Sequence, residues 1–217
     1  MAYHEGITIG GLHSYYDFGL NINSRKIDLP PKNSIRKTVP FMNGYHDFSM
    51  INGVISWGER AIAYTFDIVG ATVEEMDAKR TEVVNWLCNQ HDVDIYDDTI
   101  PDYHFHGSFD SSSQSEDGEK DELTVNFVCY PFMIENEPRV VYINGEDVTV
   151  TLKNDGQPVK PIIETEQECV VSIGNMMQSV QAGETQIAVA LPSGETNVSV
   201  TKSAAGETKI KWNTEVL

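Results

Sequence analysis

The chain has 217 residues, and its 33 Asp and Glu against 15 Lys and Arg give a net charge of −18. A chain of this length buries roughly 70% of its unfolded surface, so it needs no disulfide or metal to be stable. The acidic balance argues against sequence-independent binding of nucleic acid, because phosphates are bound by Lys and Arg.

The cysteines and the N-terminus indicate the compartment. Cys88, Cys129 and Cys169 have neither the number nor the spacing of a disulfide framework or a zinc site. We expect each to pack as a small apolar residue. The start, MAYHEGITIG, lacks the basic and apolar segments of a secretory signal, and no apolar run approaches the ~20 residues of a membrane span. We therefore expect a soluble protein made in a reducing cytoplasm.

Two segments alternate apolar and polar residues, as half-buried β-strands do. In residues 61–68, AIAYTFDI, and 123–130, LTVNFVCY, every second side chain is a larger apolar or aromatic one, with Cys closing the second series. Turns are predicted where Asn precedes Gly, because both residues tolerate a positive φ angle. These pairs are Asn43-Gly44, Asn52-Gly53 and Asn144-Gly145.

One helix is predicted, in TVEEMDAKRTEVVNWLCNQH, residues 72–91. Thr72 and Glu75 match a capping box, in which each side chain accepts a hydrogen bond from a free backbone N–H at the helix start. Apolar residues then recur near the helical period and form the expected buried stripe. Its members are Met76, Val83, Val84, Leu87 and Cys88.

The segment IPDYHFHGSF, residues 100–109, places two histidines one residue apart. On a strand, His104 and His106 share a face with Asp102, and such a set can chelate a metal ion. The opposite face is aromatic and is expected to be buried, which leaves the histidines toward solvent or a neighbouring subunit. A structural metal usually takes four ligands, so we predict no metal site.

Residues 110–122, DSSSQSEDGEKDE, contain no apolar residue. A segment of this composition cannot offset the entropy lost on ordering. A mobile loop is therefore predicted between the two flanking strands, and the regular acidic spacing of an EF-hand calcium loop is missing.

The remainder of the chain shows short strands and no helix. Gly-Glu-Thr triplets at Gly183, Gly194 and Gly206 precede alternating residues, as in a meander within a β-sandwich. A boundary just before Pro138 divides the chain into residues 1–137 and 138–217. The predicted class is α+β and mostly β, with a β domain that carries one helix and then a β-sandwich.

The sequence contains no pattern of a catalytic or cofactor site. There is no G-x-S-x-G elbow, phosphate-binding glycine loop, H-E-x-x-H motif or dinucleotide fingerprint. The six histidines are scattered along the chain. We therefore predict no enzymatic activity and no cofactor.

The order of several segments resembles the distal tail proteins (Dit) of siphophages and related prophages. GITIGGLHSYYDFGL opens the chain, and KIDLPPKN, TVPFMNGYHDFS, RAIAYTFDI and the helix end VVNWLCNQ follow. DIYDDTIPDYHFHGSF, ELTVNFVCYPF and LKNDGQPVKPIIET come next. The resemblance covers nearly the whole chain and depends on the succession of segments. Many relatives are richer in tyrosine where this chain has His104 and His106.

The resemblance implies a structural protein. Its N-terminal belt domain would form a hexameric ring at the distal tip of the virion tail, and its C-terminal domain would be a galectin-like β-sandwich. The ring would join the tail tube protein to a tail-associated lysin or baseplate protein, and DNA would pass through its centre without specific binding. The protein would be made in the cytoplasm of the bacterial host, with no role for a membrane.

The candidate subunit interface is PFMNGYHDFSMINGVISWGER, residues 40–60. Aromatic residues and Met are enriched at protein interfaces, and this turn-rich stretch contains many of them. The alternative is that these side chains pack on their own domain. The candidates are Phe41, Met42, Tyr45, Phe48, Met50, Ile51 and Trp57.

A carbohydrate-binding module is the alternative function, with a host cell-surface glycan as its ligand. Such a site would need an exposed aromatic ring beside polar groups, and the second domain offers only Tyr142 and Trp212. Both alternate as strand residues, and we expect Trp212 to lie in the core. A cell-wall hydrolase is a third possibility, but no motif supports it.

Overall fold

The computed structural model describes residues 4–50, 55–117, 120–204 and 206–217. The chain divides into two compact units, Met1–Met133 with Leu217 and Ile134–Val216. The predicted α+β, mostly β class is confirmed. The elements of the first unit are β1 (Ile7–Ile9), β2 (Leu12–His13), β3 (Asn21–Ile27), β4 (Arg36–Lys37), β5 (His46–Asp47), β6 (Arg60–Ile68), α1 (Val73–Cys88), β7 (Val93–Asp97), β8 (Tyr103–Asp117) and β9 (Lys120–Cys129).

Antiparallel strands form the main sheet of the first unit, in the order β2-β1-β7-β8-β9-β6-β3. The alternation predicted for residues 61–68 is present, since Ile62, Tyr64 and Phe66 are buried. Phe127 on β9 and Phe105 on β8 join them in one core with the buried residues of α1. Period-2 alternation therefore places one face of this sheet on the core.

The register of β6 fixes the two ends of this sheet. Arg60 at the start of β6 pairs with Cys129 on β9, and Ile68 at its end pairs with Asp121. The last residue of β3, Ile27, pairs with Ile62, close to the start of β6. The nine-residue β6 spans roughly 30 Å at ~3.3 Å per residue, so its two ends are well separated.

The helix begins as predicted, but its buried face differs from the prediction. The Thr72 hydroxyl accepts a hydrogen bond from the Glu75 N–H at 3.2 Å, and the Glu75 carboxylate accepts one from the Ala71 N–H at 2.9 Å. Val83 and Leu87 are buried, whereas Cys88 is exposed. Its predicted burial is wrong, because Cys88 lies roughly 100° beyond Leu87 around the helix and faces solvent, whereas Trp86, on the other side of Leu87, is buried.

Trp86 is held in that position by two contacts. Its indole Nε1–H donates to the Ile9 carbonyl at 3.2 Å, and its ring stacks on Phe18 with 4.5 Å between ring centroids. A buried indole normally needs both an apolar surface and a hydrogen-bond acceptor. This core provides both.

The mobile loop predicted for residues 110–122 is wrong for the described part of this segment, and residues 118 and 119 lie outside the described residues. β8 continues to Asp117, and β9 begins at Lys120. The serines of β8 lie opposite β9, with Ser111 paired to Asn126 and Ser113 paired to Thr124. Backbone hydrogen bonds to a neighbouring strand order this segment, although it has almost no apolar surface to bury.

The second unit is a β-sandwich, as predicted. One four-stranded sheet has the order β11-β18-β13-β16 and the other has the order β12-β17-β14-β15. Their inner faces share one core that includes Cys169 and Trp212. The strands after β9 are β10 (Met133–Glu135), β11 (Arg139–Asn144), β12 (Asp147–Asn154), β13 (Ile162–Thr165), β14 (Cys169–Ile173), β15 (Met176–Val180), β16 (Gly183–Gln186), β17 (Gly194–Lys202), β18 (Glu207–Trp212) and β19 (Glu215–Val216).

The Gly-Glu-Thr triplets lie at strand starts, but these strands do not form a meander. Gly183 opens β16, Gly194 opens β17, and Gly206 directly precedes β18. β16 and β18 belong to one sheet, whereas β17 belongs to the other. The chain alternates between sheets, because each strand then contributes its apolar face to the shared core.

Over the described part of the chain, α1 included, no helix has the length and apolar character that crossing a bilayer requires.

Candidate subunit interface

Between β3 and β6 the chain leaves the sheet as an arm, which we define as residues 29–50 and 55–58. Asp28 is the last residue attached to the sheet before it, since its N–H donates to the Ala61 carbonyl at 3.1 Å. Every residue from 31 to 48 is exposed. The exposed large apolar side chains of the arm are Leu29, Ile35, Val39, Phe41, Met42, Tyr45, Phe48, Met50 and Ile55.

This exposure is costly for an isolated chain. Full burial of one such side chain stabilises by roughly 1.5–3 kcal/mol. Soluble monomers rarely expose contiguous apolar patches of this kind, and such patches mark interaction sites. The arm therefore exposes large apolar side chains that a folded unit usually buries.

Hydrogen bonds within the arm give it a defined shape. β4 and β5 pair as a short antiparallel ladder, and Lys32 forms an isolated bridge with Trp57. The Phe48 N–H donates to the Ile35 carbonyl at 2.8 Å, which extends this ladder. Nearer the base, the Gly58 N–H donates to a carbonyl on the opposite segment at 2.7 Å. The arm is thus held by polar bonds and presents its apolar side chains outward.

The tip of the arm contains an unusual backbone conformation. Gly44 has a φ of 88°, as expected for the predicted Asn43-Gly44 turn. Phe41 has a φ of 67°, a left-handed conformation that costs a residue with a Cβ roughly 1–2 kcal/mol. Its ring is fully exposed. The tip therefore holds a large aromatic side chain away from its own unit.

The arm is basic in an otherwise acidic chain. It carries Lys32, Arg36 and Lys37 against Asp47, so its net charge is 3 − 1 = +2 while the whole chain has −18. The Arg36 guanidinium lies 4.6 Å from the Tyr45 ring centroid and its Nε lies 3.4 Å from Asp47 Oδ2. Hydrogen bonds from Ser49 lower the pKa of Asp47. Lys37 is exposed at the end of β4.

The predicted interface residues lie together on the arm. Phe41, Met42, Tyr45 and Phe48 are exposed, whereas Trp57 is half-buried beneath Lys32, whose Nζ lies 5.4 Å from its ring centroid. Met50 is exposed as well, and Ile51 and the Asn52-Gly53 pair lie outside the described residues. The sequence prediction missed Leu29, Ile35, Val39 and Ile55, which follow neither the strand nor the helix period.

The two predicted histidines contact carboxylates of β7 and of the residue before it. His106 Nδ1 lies 2.8 Å from Asp94 Oδ1, and its Nε2 lies 2.9 Å from Asp92 Oδ1. His104 Nε2 lies 3.6 Å from Asp94 Oδ1, and its side chain is only 11% exposed. His104 lies on the face opposite buried Phe105, as predicted, but the Tyr96 ring, with 5.2 Å between ring centroids, leaves it little open to solvent. Asp102 is exposed at the turn before β8.

Within the described residues, no group of three or more His, Cys, Asp or Glu side chains has the arrangement of a metal site. His106 instead contacts a carboxylate with each ring nitrogen. Carboxylates accept hydrogen bonds and donate none, so both contacts are satisfied only when both ring nitrogens carry a proton. This geometry favours the imidazolium form.

The His106 contacts predict a pH-dependent stability. Hydrogen bonds to Asp94, and then to Asp92, raise the pKa of His106. Stabilisation is fully present below the unfolded-state pKa of about 6.5 and is lost as the pH rises through the raised folded-state value. The difference in unfolding free energy between the wild type and His106→Gln should therefore shrink from acidic to alkaline pH.

Denaturant unfolding of both proteins across this range measures that difference. His46→Gln serves as the control, since His46 lies on the arm and contacts neither carboxylate. A difference that stays constant with pH would contradict the assignment of the charged form.

The two candidate residues for a glycan platform, Tyr142 and Trp212, have different environments in the second unit. Trp212 is buried, as expected from its strand position, and this excludes it as a platform. Tyr142 is 60% exposed and starts a row across neighbouring strands through Lys209, Glu164 and Glu184. Lys209 Nζ lies 2.8 Å from Glu164 Oε1, and hydrogen bonds from Lys209 and Lys211 lower the pKa of Glu164 to about 2.

No family model and no curated protein matches the chain. The architecture, however, is known from solved structures: it is the fold of the Dit hub proteins of bacteriophages. The structure in question is the Dit protein (gp 19.1) of SPP1, described as a paradigm of the hub adsorption apparatus in phages that infect Gram-positive bacteria. The TM-score is 0.74 over 99% of this chain and 100% of that chain, at 15% sequence identity. The resemblance predicted from the order of sequence segments is confirmed as a shared fold.

Proposed function

We propose that this chain is a structural hub protein of a phage tail tip, which assembles into a ring through its arm. The observation that carries the proposal is the arm, whose apolar side chains have no cover in their own unit. Side chains of this kind are stable in water when a partner buries them. The Dit fold supports the tail as the setting for this assembly.

In this role the ring would contain six copies and would lie at the distal tip of the virion tail. It would connect the tail tube protein to a tail-associated lysin or baseplate protein, and the protein would act by binding and not by catalysis. The net charge of −18 suits a ring through which DNA passes, because like charges repel.

The mass of the purified protein in solution tests the proposal. Light scattering over a range of concentrations, with electron microscopy of the largest species, should reveal a ring with an open centre. A protein that stays monomeric at every concentration, alone and when mixed with its tail tube protein, would refute ring assembly. A compact two-fold dimer would refute it as well.

A second function, binding of a host-surface glycan, is favoured by the row that begins at Tyr142. Its exposed ring lies 6.0 Å from Lys209 Nζ, and Glu164 supplies carboxylate acceptors beside it. A flat ring beside charged donors and acceptors is the arrangement that a sugar needs. Binding to a glycan array that is lost in Tyr142→Ala would support this function, and an array without any hit would exclude it.

A further inference from the structure

We infer that the outer face of the β11-β18-β13-β16 sheet selects a glycan that carries a protonated amine, with Tyr142 against a sugar ring and the amine in an adjoining cavity. This inference rests on the glycan binding proposed above as the second function, and it names the class of sugar that the site takes. It does not depend on ring assembly.

The cavity opens at one end of this sheet, where β13 ends and β16 and β18 begin. Its volume is about 240 Å³. Cavities that hold drug-sized ligands measure roughly 300–1,000 Å³, so this one suits one sugar unit and its substituent. No described atom lies within 4 Å of the position that a Cβ would take on Gly183, so the cavity is open at that side. The lining residues are Glu164, Thr165, Glu166, Gly183, Glu207 and Lys209.

The register of the strands places Tyr142 and the cavity on one surface. Tyr142 lies directly opposite Lys209, and Lys209 lies directly opposite Glu164. Residues paired in this way project from the same face of a sheet. Their neighbours along the strands, Ile143 and Ile210 among them, point into the sandwich core. Two strand spacings of ~4.8 Å separate Tyr142 from Glu164, so an oligosaccharide can contact both.

The lysines of this surface are already paired with carboxylates. Glu164 Oε1 lies 2.8 Å from Lys209 Nζ, and Glu164 Oε2 pairs with Lys211 Nζ. Lys209 Nζ also lies 3.5 Å from Glu207 Oε1, and Lys211 Nζ lies 3.7 Å from Glu184 Oε2. These contacts fix the long side chains and leave the two ammonium groups few donors for a ligand.

Carboxylates remain in excess, because four glutamates share this surface with two lysines and leave 4 − 2 = 2 negative charges. Glu166 is exposed and pairs with no Lys or Arg among the described residues. It leans over the start of β18, since a Cβ on Gly206 would lie 3.4 Å from Glu166 Oε2. Glu207, the first residue of β18, has only its longer contact with Lys209. The free acceptors therefore lie in the cavity.

The frame around these acceptors is fixed. Thr165 Oγ1, in the lining, lies 3.0 Å from Oγ1 of buried Thr208. Buried Lys202 donates from Nζ to the carbonyls of Ile143 and Gly206 at 3.3 and 2.5 Å, which anchors the start of β18. A site that is already in place loses little conformational entropy on binding.

These features identify the ligand by its chemistry. A ligand ammonium donates three hydrogen bonds and accepts none, and its bonds to carboxylates are about twice as strong as neutral ones. The exposed Tyr142 ring supplies a flat apolar surface for the C–H groups of a sugar ring. A sugar that carries a carboxylate or a phosphate group would be repelled by the excess glutamates. The surface thus fits an amine-bearing oligosaccharide.

Calorimetric titration of the full chain with two trisaccharides tests the inference. One is built of glucosamine and the other of N-acetylglucosamine, and at about pH 6 the free amines are protonated. The amine trisaccharide should bind at least ~10-fold more tightly, because hydrogen bonds to a charged group change the binding constant by at least that factor. Tyr142→Ala should abolish the binding of both, since it removes the surface for the ring.

Glu166→Gln with Glu207→Gln removes the two free carboxylates and keeps the shape of the cavity. This variant should lose the preference for the amine trisaccharide and bind the N-acetylated one no more weakly than before. Asp147→Asn with Glu195→Gln is the matched control, because it removes two exposed carboxylates from the other sheet. It should leave both affinities unchanged.

Spermidine serves as the control ligand, because it has amines and no sugar ring and would reveal simple attraction to a chain with a net charge of −18. It should bind at least ~10-fold more weakly than the amine trisaccharide. Binding of the amine trisaccharide that survives Tyr142→Ala, or that the Asp147 and Glu195 changes weaken as much as the cavity changes, would overturn the inference.

The remaining outcomes separate the inference from the function on which it rests. Equal affinity for the two trisaccharides, or no binding of the amine form while a glycan array gives other hits, overturns the choice of ligand and leaves glycan binding in place. No binding of either trisaccharide together with an empty array refutes glycan binding itself.

Discussion

Replacement of Phe41, Tyr45 and Phe48 together by serine is expected to abolish self-association and to leave the fold intact. These rings are exposed on the arm and make no contact with the core of their unit. Aromatic anchors in the centre of an interface each contribute about 2 kcal/mol or more when truncated. Their combined loss should raise the dissociation constant at least ~100-fold.

Sedimentation or light scattering measures the association, and thermal unfolding checks the fold. The matched control is Tyr142→Ser, which removes an exposed ring from the second unit and should leave association unchanged. A triple variant that still associates like the wild type would exclude the arm as the interface. A large drop in its unfolding temperature would mean that these rings pack on their own domain.

Phe127→Ala is expected to destabilise the first unit by about 3–5 kcal/mol, the usual cost of removing a buried phenyl ring. Phe127 is 1% exposed, and its ring packs edge-on against Tyr64 and Phe109 with centroid distances of 6.2 and 6.3 Å. Its strand lies between β6 and β8. The cavity would therefore open at the centre of the sheet, where neighbouring strands cannot move to fill it.

Calorimetry of the Phe127→Ala protein measures this loss, and Phe41→Ala provides the matched control. The control removes the same atoms from an exposed position, so its effect on stability should lie within about 0.5 kcal/mol of zero. A loss below about 1 kcal/mol for Phe127→Ala, well short of the usual cavity cost, would contradict the packing described for this sheet.

The sequence correctly predicted those elements in which apolar residues recur at the spacing of a single buried face. Ile62, Tyr64 and Phe66 alternate because one face of β6 is in the core, and Thr72 marks the helix start because its hydroxyl caps a free N–H. Both signals are local. They depend on residues a few positions apart, and the sequence displays them directly.

The predictions that failed depend on distant partners. Ser111 and Ser113 are ordered by β9, which no property of the serines reveals. Trp86 displaces Cys88 from the helix stripe because Ile9 and Phe18 receive it. The spacing of Val83, Trp86 and Leu87 does fit the helical period, so the burial of Trp86 could have been predicted from the sequence.

The candidate interface was predictable in part. The residue types of the arm indicated an interface, because aromatic residues are enriched there. Their exposure could not be predicted, because it arises where the chain leaves the sheet between β3 and β6.

The short strands and prolines of the arm limit aggregation of this exposed apolar segment. A long apolar strand that waits for a partner would add to the strands of other chains and produce insoluble fibres. β4 and β5 have two residues each, and Pro30, Pro31 and Pro40 lack the N–H that continued strand addition requires. We therefore expect concentrated protein to stay free of fibres even though its apolar arm is exposed to water.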